Sequence, residues 1–564
     1  MDANEGNLSD YAPDFLLEDW TPEDRFFLEP FFTNLDGHIT VMRNLPPELA
    51  GALCSKASRS PDYLLRAFLN EYVYPIVRGG DKKLADDLAT LAYFMKSLGN
   101  ESVLNNRKAR QFYAKWLAGF GDDSIAQMTG SHLIFWGISQ VALKFIEDQR
   151  VGLEPIEKST RYVSYANMIG GKYLRERYLY HVPYPDLDKH GLRSRYMDTL
   201  NNLFSTYGHL IPRLIAWLTD NFDEKPTVIE KKAFDTLRGL LPMATLSQVA
   251  FRGNAQAFEY LINRTAGHSL GELRWIADSV KRELDKEIPS LLLRLNEEKS
   301  KNYQRYLRER RDRVRMLVTR LTAGRYLPPL WPVYEPKVRL VEYDKFAEDK
   351  LIAAIAFSES NAAWSQILKR VRKMRFEDKL RILENYFKDR TVRWQKVGRA
   401  LESSHLRFEI VMNIGAYRDL HRHRMHTQDR QSFSTVHGYD VPQEIKFAGL
   451  EDEFCGALEL IKPLFMELYT SCGPELAQYA VPLAYRVRFY QLQNFRELFW
   501  ETELRTGPQG HPDYRRIEQE KFRLVEARFP LIARFIKVDM NDYAFARRGA
   551  EDAARVKEEK LLNQ

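Results

Sequence analysis

The sequence predicts a helix-rich α+β chain built as two tandem copies of one unit, and three observations carry that prediction. Apolar residues recur mostly at helical steps, strand-like stretches are few and short, and one set of landmarks occurs twice in the same order. At 564 residues the chain is too long for a single compact core, so division into domains is expected from length alone.

The helical period is clear in YLLRAFLNEYVYPIV (63–77) and LADDLATLAYFMKSL (84–98), where apolar residues fall three and four apart. In KYLRERYLYHVPYP (172–185) aromatic and apolar residues come near to alternation before a proline turn, which predicts an edge strand or hairpin arm. From about 280 to 325 the chain is dense in mixed charge and predicts a long exposed helix or helix pair acting as a connector. YLPPLWPVYEPKV (326–338), with four prolines, is expected to be extended and irregular. FCGALELIKPLFMELYTSC (454–472) reads as an amphipathic core helix kinked at Pro463.

The duplication rests on spacing. LPMATLSQVAFRGN places Pro242 twelve residues before Asn254, and VPLAYRVRFYQLQN places Pro482 twelve before Asn494. An arginine and then a histidine follow each: Arg264 and His268, then Arg505 and His511. Upstream lie two serine-centred stretches, IEKSTRYVSY (156–165) and DRQSFSTVHGYD (429–440). The expected organisation is a flexible start (1–40), a first copy (41–290), a charged helical connector with a proline-rich linker (291–340) and a second copy (341–564).

Composition narrows the function classes. The 84 basic residues against 77 acidic ones leave a formal charge of +7, a mild bias toward an anionic partner. Cys54, Cys455 and Cys472 are too few for a disulfide framework and lack metal-type spacing, which fits a reducing, cytoplasmic setting. The acidic N-terminus has no export-signal pattern, and no apolar run has the length of a membrane span.

RHRMHTQDRQS (422–432) concentrates cationic donors, with Arg418 and His421 just before it. Arginine forks suit planar or phosphorylated anions, and a histidine between them donates to an electron-rich ring, so a phosphorylated cofactor would satisfy Arg422, His423 and Arg424. His421, His423, His426 and His437 fall within seventeen residues, with His423 and His426 expected on one helix face. The neighbouring arginines repel a divalent cation, so no metal is expected. In the first half Glu157, Ser159 and Arg161 alternate; on an extended segment they present an acceptor, a hydroxyl and a guanidinium to one side, a set suited to a nucleotide.

Arg-His-Arg, seven residues and then Ser is the signature of the flavin-dependent thymidylate synthases, and Arg422 to Arg424 with Ser432 resembles it. That family also has Glu two before the serine and Arg-Tyr starting two after it; the second half has Arg430, Ser434 and Thr435 there. The first half supplies Glu157, Ser159, Arg161 and Tyr162, whereas its Arg-His-Arg is reduced to Asp148, Gln149 and Arg150 with a one-residue shift. GDDSIAQMTGSHLIFWGIS (121–139) resembles the family's helix entry, with Met128 in place of its histidine and His405 as a counterpart in the second half. LRGLLPMATLSQVAFRGNAQAFEYLINRTAGH (237–268) resembles the closing segment through Arg238, Asn254, Arg264 and His268; the second half keeps Asn494, Arg496 and Arg505 but has Gln478 where Arg238 stands.

The resemblance implies two diverged copies of that fold, each with a mostly antiparallel sheet, and complementary losses. It implies FAD as cofactor, NADPH and methylenetetrahydrofolate as co-substrates, and methylation of deoxyuridylate to thymidylate. Arg422, His423, Arg424, Asn494, Arg496 and Asn254 would hold the flavin. Glu157, Ser159, Arg161, Arg238, Arg264, Ser432 and Arg505 would bind substrate, and Arg264 and His423 would act in catalysis. Family members assemble as tetramers with shared sites, so a homodimer of the fused chain would imitate one tetramer. Two alternatives stand beside this reading: a flavin- or nucleotide-binding paralogue without turnover, and a nucleic-acid binder using the basic run 308–320.

Overall fold

The structure, a computed structural model, describes residues 7–98, 107–172, 176–321, 337–545 and 556–561. The chain forms two four-stranded antiparallel sheets with one strand order used twice. In the first, β1 (Ile39–Met42), β2 (Gly130–Ser139), β3 (Leu153–Glu157) and β4 (Leu246–Asn254) are arranged β1-β2-β4-β3. In the second, β5 (Val338–Tyr343), β6 (His405–Asn413), β7 (Thr427–Arg430) and β8 (Arg486–Asn494) are arranged β5-β6-β8-β7. Helices make up most of the rest, so the expected two-copy α+β architecture holds.

Both central strands of each sheet run directly into a helix, and the last strand residue caps it. Ser139 Oγ accepts from the Ala142 amide at 3.0 Å, Asn254 Oδ1 from Ala257 at 2.8 Å, Asn413 Oδ1 from Ala416 at 2.8 Å, and Asn494 Oδ1 from Glu497 at 2.9 Å. A short polar side chain in extended backbone satisfies one of the orphan amides of the first helical turn. The duplicated asparagines recognised from spacing are therefore strand-to-helix caps, whatever else they touch.

The chain resolves into two compact units: 1–223 with 233–328 and 442–482, and 224–232 with 329–441 and 483–564. These units do not follow the copy boundaries everywhere. Segment 442–482, in the second copy by sequence, packs in the first unit, where Arg195 pairs with Glu467 at 2.5 Å. It breaks at Leu460 into helices Glu451–Glu459 and Ile461–Ser471 rather than kinking at Pro463. Pro463 sits in the first turn of the second helix, where its missing N–H costs no hydrogen bond.

Other expectations resolve in detail. Residues 64–77 are helical, with a wide π turn at Leu69–Val73 just before Pro75, whose ring nitrogen cannot continue the ladder. The arm expected at 172–185 forms only the isolated bridges Ile169↔Arg177 and Tyr180↔Thr245, and 173–175 lie outside the described residues. The connector is a helix ending at Leu284, two short turns around Pro289 and a second helix, Glu298–Leu321. Most of the proline-rich stretch that follows, 322–336, lies outside the described residues. Among the described residues no helix is long and apolar enough to cross a membrane.

A bulge between Trp136 and Ile138 lets β2 keep its register with β4. Gly137 makes the bulge at φ +94°, and a Cβ there would lie 2.4 Å from the Phe15 ring. Gly137→Ala is expected to cost roughly 2–3 kcal/mol, combining positive-φ strain with a clash against a buried ring. Urea unfolding checks this.

Candidate active site

In the first copy the structure brings Arg161 and Arg238 to one carboxylate. Arg161 Nη2 lies 3.0 Å from Asp235 Oδ2, and Arg238 Nε lies 3.4 Å from Asp235 Oδ1. Arg238 is 5% exposed, and its Nη2 is buried with no hydrogen-bond partner among the described residues. A guanidinium N–H buried without an acceptor is costly. Asp235, unnoticed in the sequence, was legible only as an acid three residues before Arg238 on the same helical turn.

The expected extended presentation of Glu157, Ser159 and Arg161 is corrected by the structure. β3 ends at Glu157, and the Tyr162 and Val163 amides turn back onto the Ser159 carbonyl oxygen at 3.4 and 3.3 Å. Ser159 Oγ accepts from the Arg161 amide at 3.2 Å, closing a local turn. Glu157 faces inward, where its two oxygens lie 3.3 and 3.2 Å from Lys144 Nζ. Lys144 also holds Glu147 at 2.5 Å with its side chain fully buried.

Arg264 lies in the same unit, on the helix capped by Asn254. Its Nη2 donates to the Phe145 carbonyl oxygen at 3.2 Å, and the guanidinium sits 4.6 Å above the Phe145 ring. Burial lowers its pKa. His268 packs edge-on to the same ring at 4.5 Å and accepts the Leu270 amide at 3.0 Å. Burial and the nearby Arg311 and Arg264 hold His268 neutral, well below its ordinary value.

In the second copy the cationic cluster is not helical, because the helix Ile414–Leu420 ends before it. The turn exposes Arg422 and Arg424 and buries His423 between them. His423 and His426 lie near each other, rings 6.3 Å apart, by this turn rather than by a shared helix face. Arg505 Nε donates to His423 Nε2 at 2.9 Å, which makes Nε2 an acceptor and leaves the ring proton on Nδ1. That Nδ1–H faces Glu497 Oε1 at 2.9 Å. Burial lowers the His423 pKa to about 3, and burial with the neighbouring Glu501 raises that of Glu497 to about 8.

A carboxyl raised on folding stabilises below its unfolded pKa, and that contribution is lost as pH rises through the folded value. Wild-type stability should therefore fall between about pH 4.5 and 8 on this account. Glu497→Gln, which still accepts from Nδ1–H, should flatten that fall and leave the variant the more stable protein at pH 8.5, read by denaturant midpoints across pH.

The other expected site residues are dispersed over their surroundings. Arg496 Nη1 pairs with Glu402 at 2.6 Å, and Ser432 is exposed in the loop after β7. Asn254 and Asn494 engage their oxygens as caps. In the basic connector helix, Arg308 donates to the Ala266 carbonyl oxygen at 3.4 Å, Arg311 lies over the Phe145 ring at 5.6 Å and Arg315 meets Glu475 at 2.5 Å. Much of that charge is spent within its own unit rather than offered as a stripe for nucleic acid.

A family profile described as thymidylate synthase complementing protein matches the chain twice, over residues 80–290 and 339–531. A UPF0159 protein of Chlamydia muridarum is 36% identical over 532 residues, covering 92% of this chain and 95% of that protein. A UPF0159 protein of Chlamydia pneumoniae is 34% identical over 95% of this chain and 98% of its own length. One from Thermoplasma acidophilum is 29% identical over 80% of this chain and 93% of its own.

Proposed function

Because the chain belongs to the thymidylate synthase complementing protein family, we propose that it methylates deoxyuridylate to thymidylate with FAD as cofactor and methylenetetrahydrofolate and NADPH as co-substrates. The observation that carries the reading is the buried, acceptor-less Nη2 of Arg238 beside Arg161, an anion site that suits a 5′-phosphate.

The donor set of the second copy fits a phosphate-bearing flavin in part. Arg422 and Arg424 are exposed and cationic, whereas His423 has both ring nitrogens engaged by protein. Arg422 and Arg424 would hold the cofactor, with Asn494 and Arg496 assisting. Bound there, the flavin would supply the hydride that completes the methyl group.

The chain's own residues have the following tasks. Arg161 and Arg238 bind the phosphate. Arg264, anchored on the Phe145 carbonyl oxygen, stabilises the charge that gathers on the uracil ring as carbon 5 attacks. His423 acts as a positioning residue: held by Glu497, it fixes Arg505 through Nε, so the forked end of that arginine is carried in a set direction. Each copy keeps what the other lost, and the proposed working assembly is a homodimer of the fused chain.

A binding protein without turnover is the second reading, favoured by the inward pairing of Glu157 with Lys144. The test is purified full-length protein incubated with FAD, then with deoxyuridylate, methylenetetrahydrofolate and NADPH, with thymidylate measured by chromatography. Thymidylate formation is expected. Protein that retains the yellow cofactor without forming thymidylate supports the second reading, and protein that binds neither flavin nor nucleotide refutes both.

A further inference from the structure

The two copies differ at one contact in a way that leaves space. In the second copy His423 lies ten residues past its helix cap Asn413, and Glu497 three past Asn494. The positions related by duplication are Gln149, ten past Ser139, and Ala257, three past Asn254. Gln149 Nε2 donates to the Ala257 carbonyl oxygen at 2.9 Å, so the contact between the two elements survives while the carboxylate side chain is gone.

A cleft of about 590 Å³ opens at this place in the first unit, lined by Gln149, Gly152, Asn254, Ala257, Tyr260 and Tyr303 among others. That size lies in the range of small-molecule sites. The charged side chains around it, Asp123, Glu259, Arg294 and Lys299, sum to zero. Arg294 is forked onto Glu259 at 3.1 and 2.5 Å, and Lys299 pairs with Glu297 at 2.8 Å, so neither cation is set for a phosphate. Gln127 Nε2 meets Gln256 Oε1 at 2.9 Å, making the wall amide-rich. Gln149 Oε1 is buried with no hydrogen-bond partner among the described residues, an acceptor suited to an N–H. Tyr260 and Tyr303, 44% and 37% exposed, offer aromatic surface.

We infer that the cleft left where the first copy lost its Arg-His-Arg signature is a binding site for an uncharged nucleoside. A neutral wall rich in amides, with an unanswered acceptor and two tyrosines, matches a planar heterocycle carrying N–H groups. Arg161 and Arg238 are not among the lining residues, while the Arg264 guanidinium lies 5.5 Å from the Tyr260 ring, so the cleft does not include the proposed phosphate pair but borders Arg264.

The test is titration calorimetry of the full chain with adenosine, guanosine, cytidine and thymidine, each compared with its 5′-monophosphate. The Arg238→Met background removes the phosphate-dependent gain at the other site, and the cleft variants separate nucleoside binding in the cleft from nucleoside binding there. At least one nucleoside should bind below millimolar concentration, its monophosphate should bind no tighter, and Ala257→Glu and Gln149→Ala should each weaken binding about tenfold or more. Ala257→Glu restores the residue of the other copy, and Gln149→Ala is a second route should that variant fold poorly. No nucleoside binding up to millimolar concentration, a monophosphate that binds more tightly, or affinity unchanged in both variants would overturn the inference.

Discussion

Lys521→Met is expected to cost about 3–5 kcal/mol of folding stability at neutral pH. The Lys521 ammonium is fully buried and meets Glu501 Oε2 at 2.7 Å, Glu518 Oε1 at 3.0 Å and Gln491 Oε1 at 2.9 Å. Methionine keeps the stem's packing but removes the ammonium in direct contact with two carboxylates that also have 0% exposure. Burial alone pushes a carboxyl upward; at Glu501 burial is the largest influence, but the Lys521 charge and hydrogen bond together with His423 and His426 outweigh it and the pKa falls, while at Glu518 burial and Glu501 prevail and it rises. Without the lysine both rise. Groups raised on folding lose their stabilising contribution as pH increases, so the deficit should be largest above neutrality and shrink toward pH 5. Urea midpoints at pH 5 and pH 7.5 measure this, and a loss under about 1 kcal/mol at both would show the cluster to be worth no more than an exposed pair. Because Glu501 also acts on His423, the same variant should disturb the Glu497–His423–Arg505 line.

The division between what the sequence disclosed and what it hid has a physical basis. The duplication was legible because strand-to-helix caps need particular short polar residues at a fixed distance from the strand, and Asn254 and Asn494 repeat that demand. Residues Arg161 and Arg238 were legible as a pair through resemblance, and the fold brings them to Asp235. The direction of Glu157 was not, since alternation assigns faces only while the strand lasts and β3 stops at that residue. Nor was the Lys521 cluster, whose partners come from two helices and a strand and leave no local pattern. The transfer of 442–482 to the first unit was equally invisible, because helical periodicity says which face is buried and nothing about what covers it.

Arg238→Met is expected to lower deoxyuridylate affinity about 10- to 150-fold, the worth of one charge-assisted hydrogen bond at about 1.5–3 kcal/mol, while leaving the fold nearly as stable as before. Stability should hold because Asp235 keeps Arg161 at 3.0 Å as its countercharge and because the substitution removes a buried N–H that has no acceptor. Removal of such a group by an apolar side chain of similar reach is close to neutral. Affinity should fall because the same N–H is the one an incoming phosphate would satisfy, and the cost of desolvating it has already been met in folding. The discriminating measurement is the ratio of deoxyuridylate to deoxyuridine affinity in wild type and variant. If Arg238 holds the phosphate, the wild-type ratio is large and that of the variant collapses toward one, with the nucleoside itself bound equally by both. An unchanged ratio would place the phosphate elsewhere, and Arg238 would then be a structural partner of Asp235 alone.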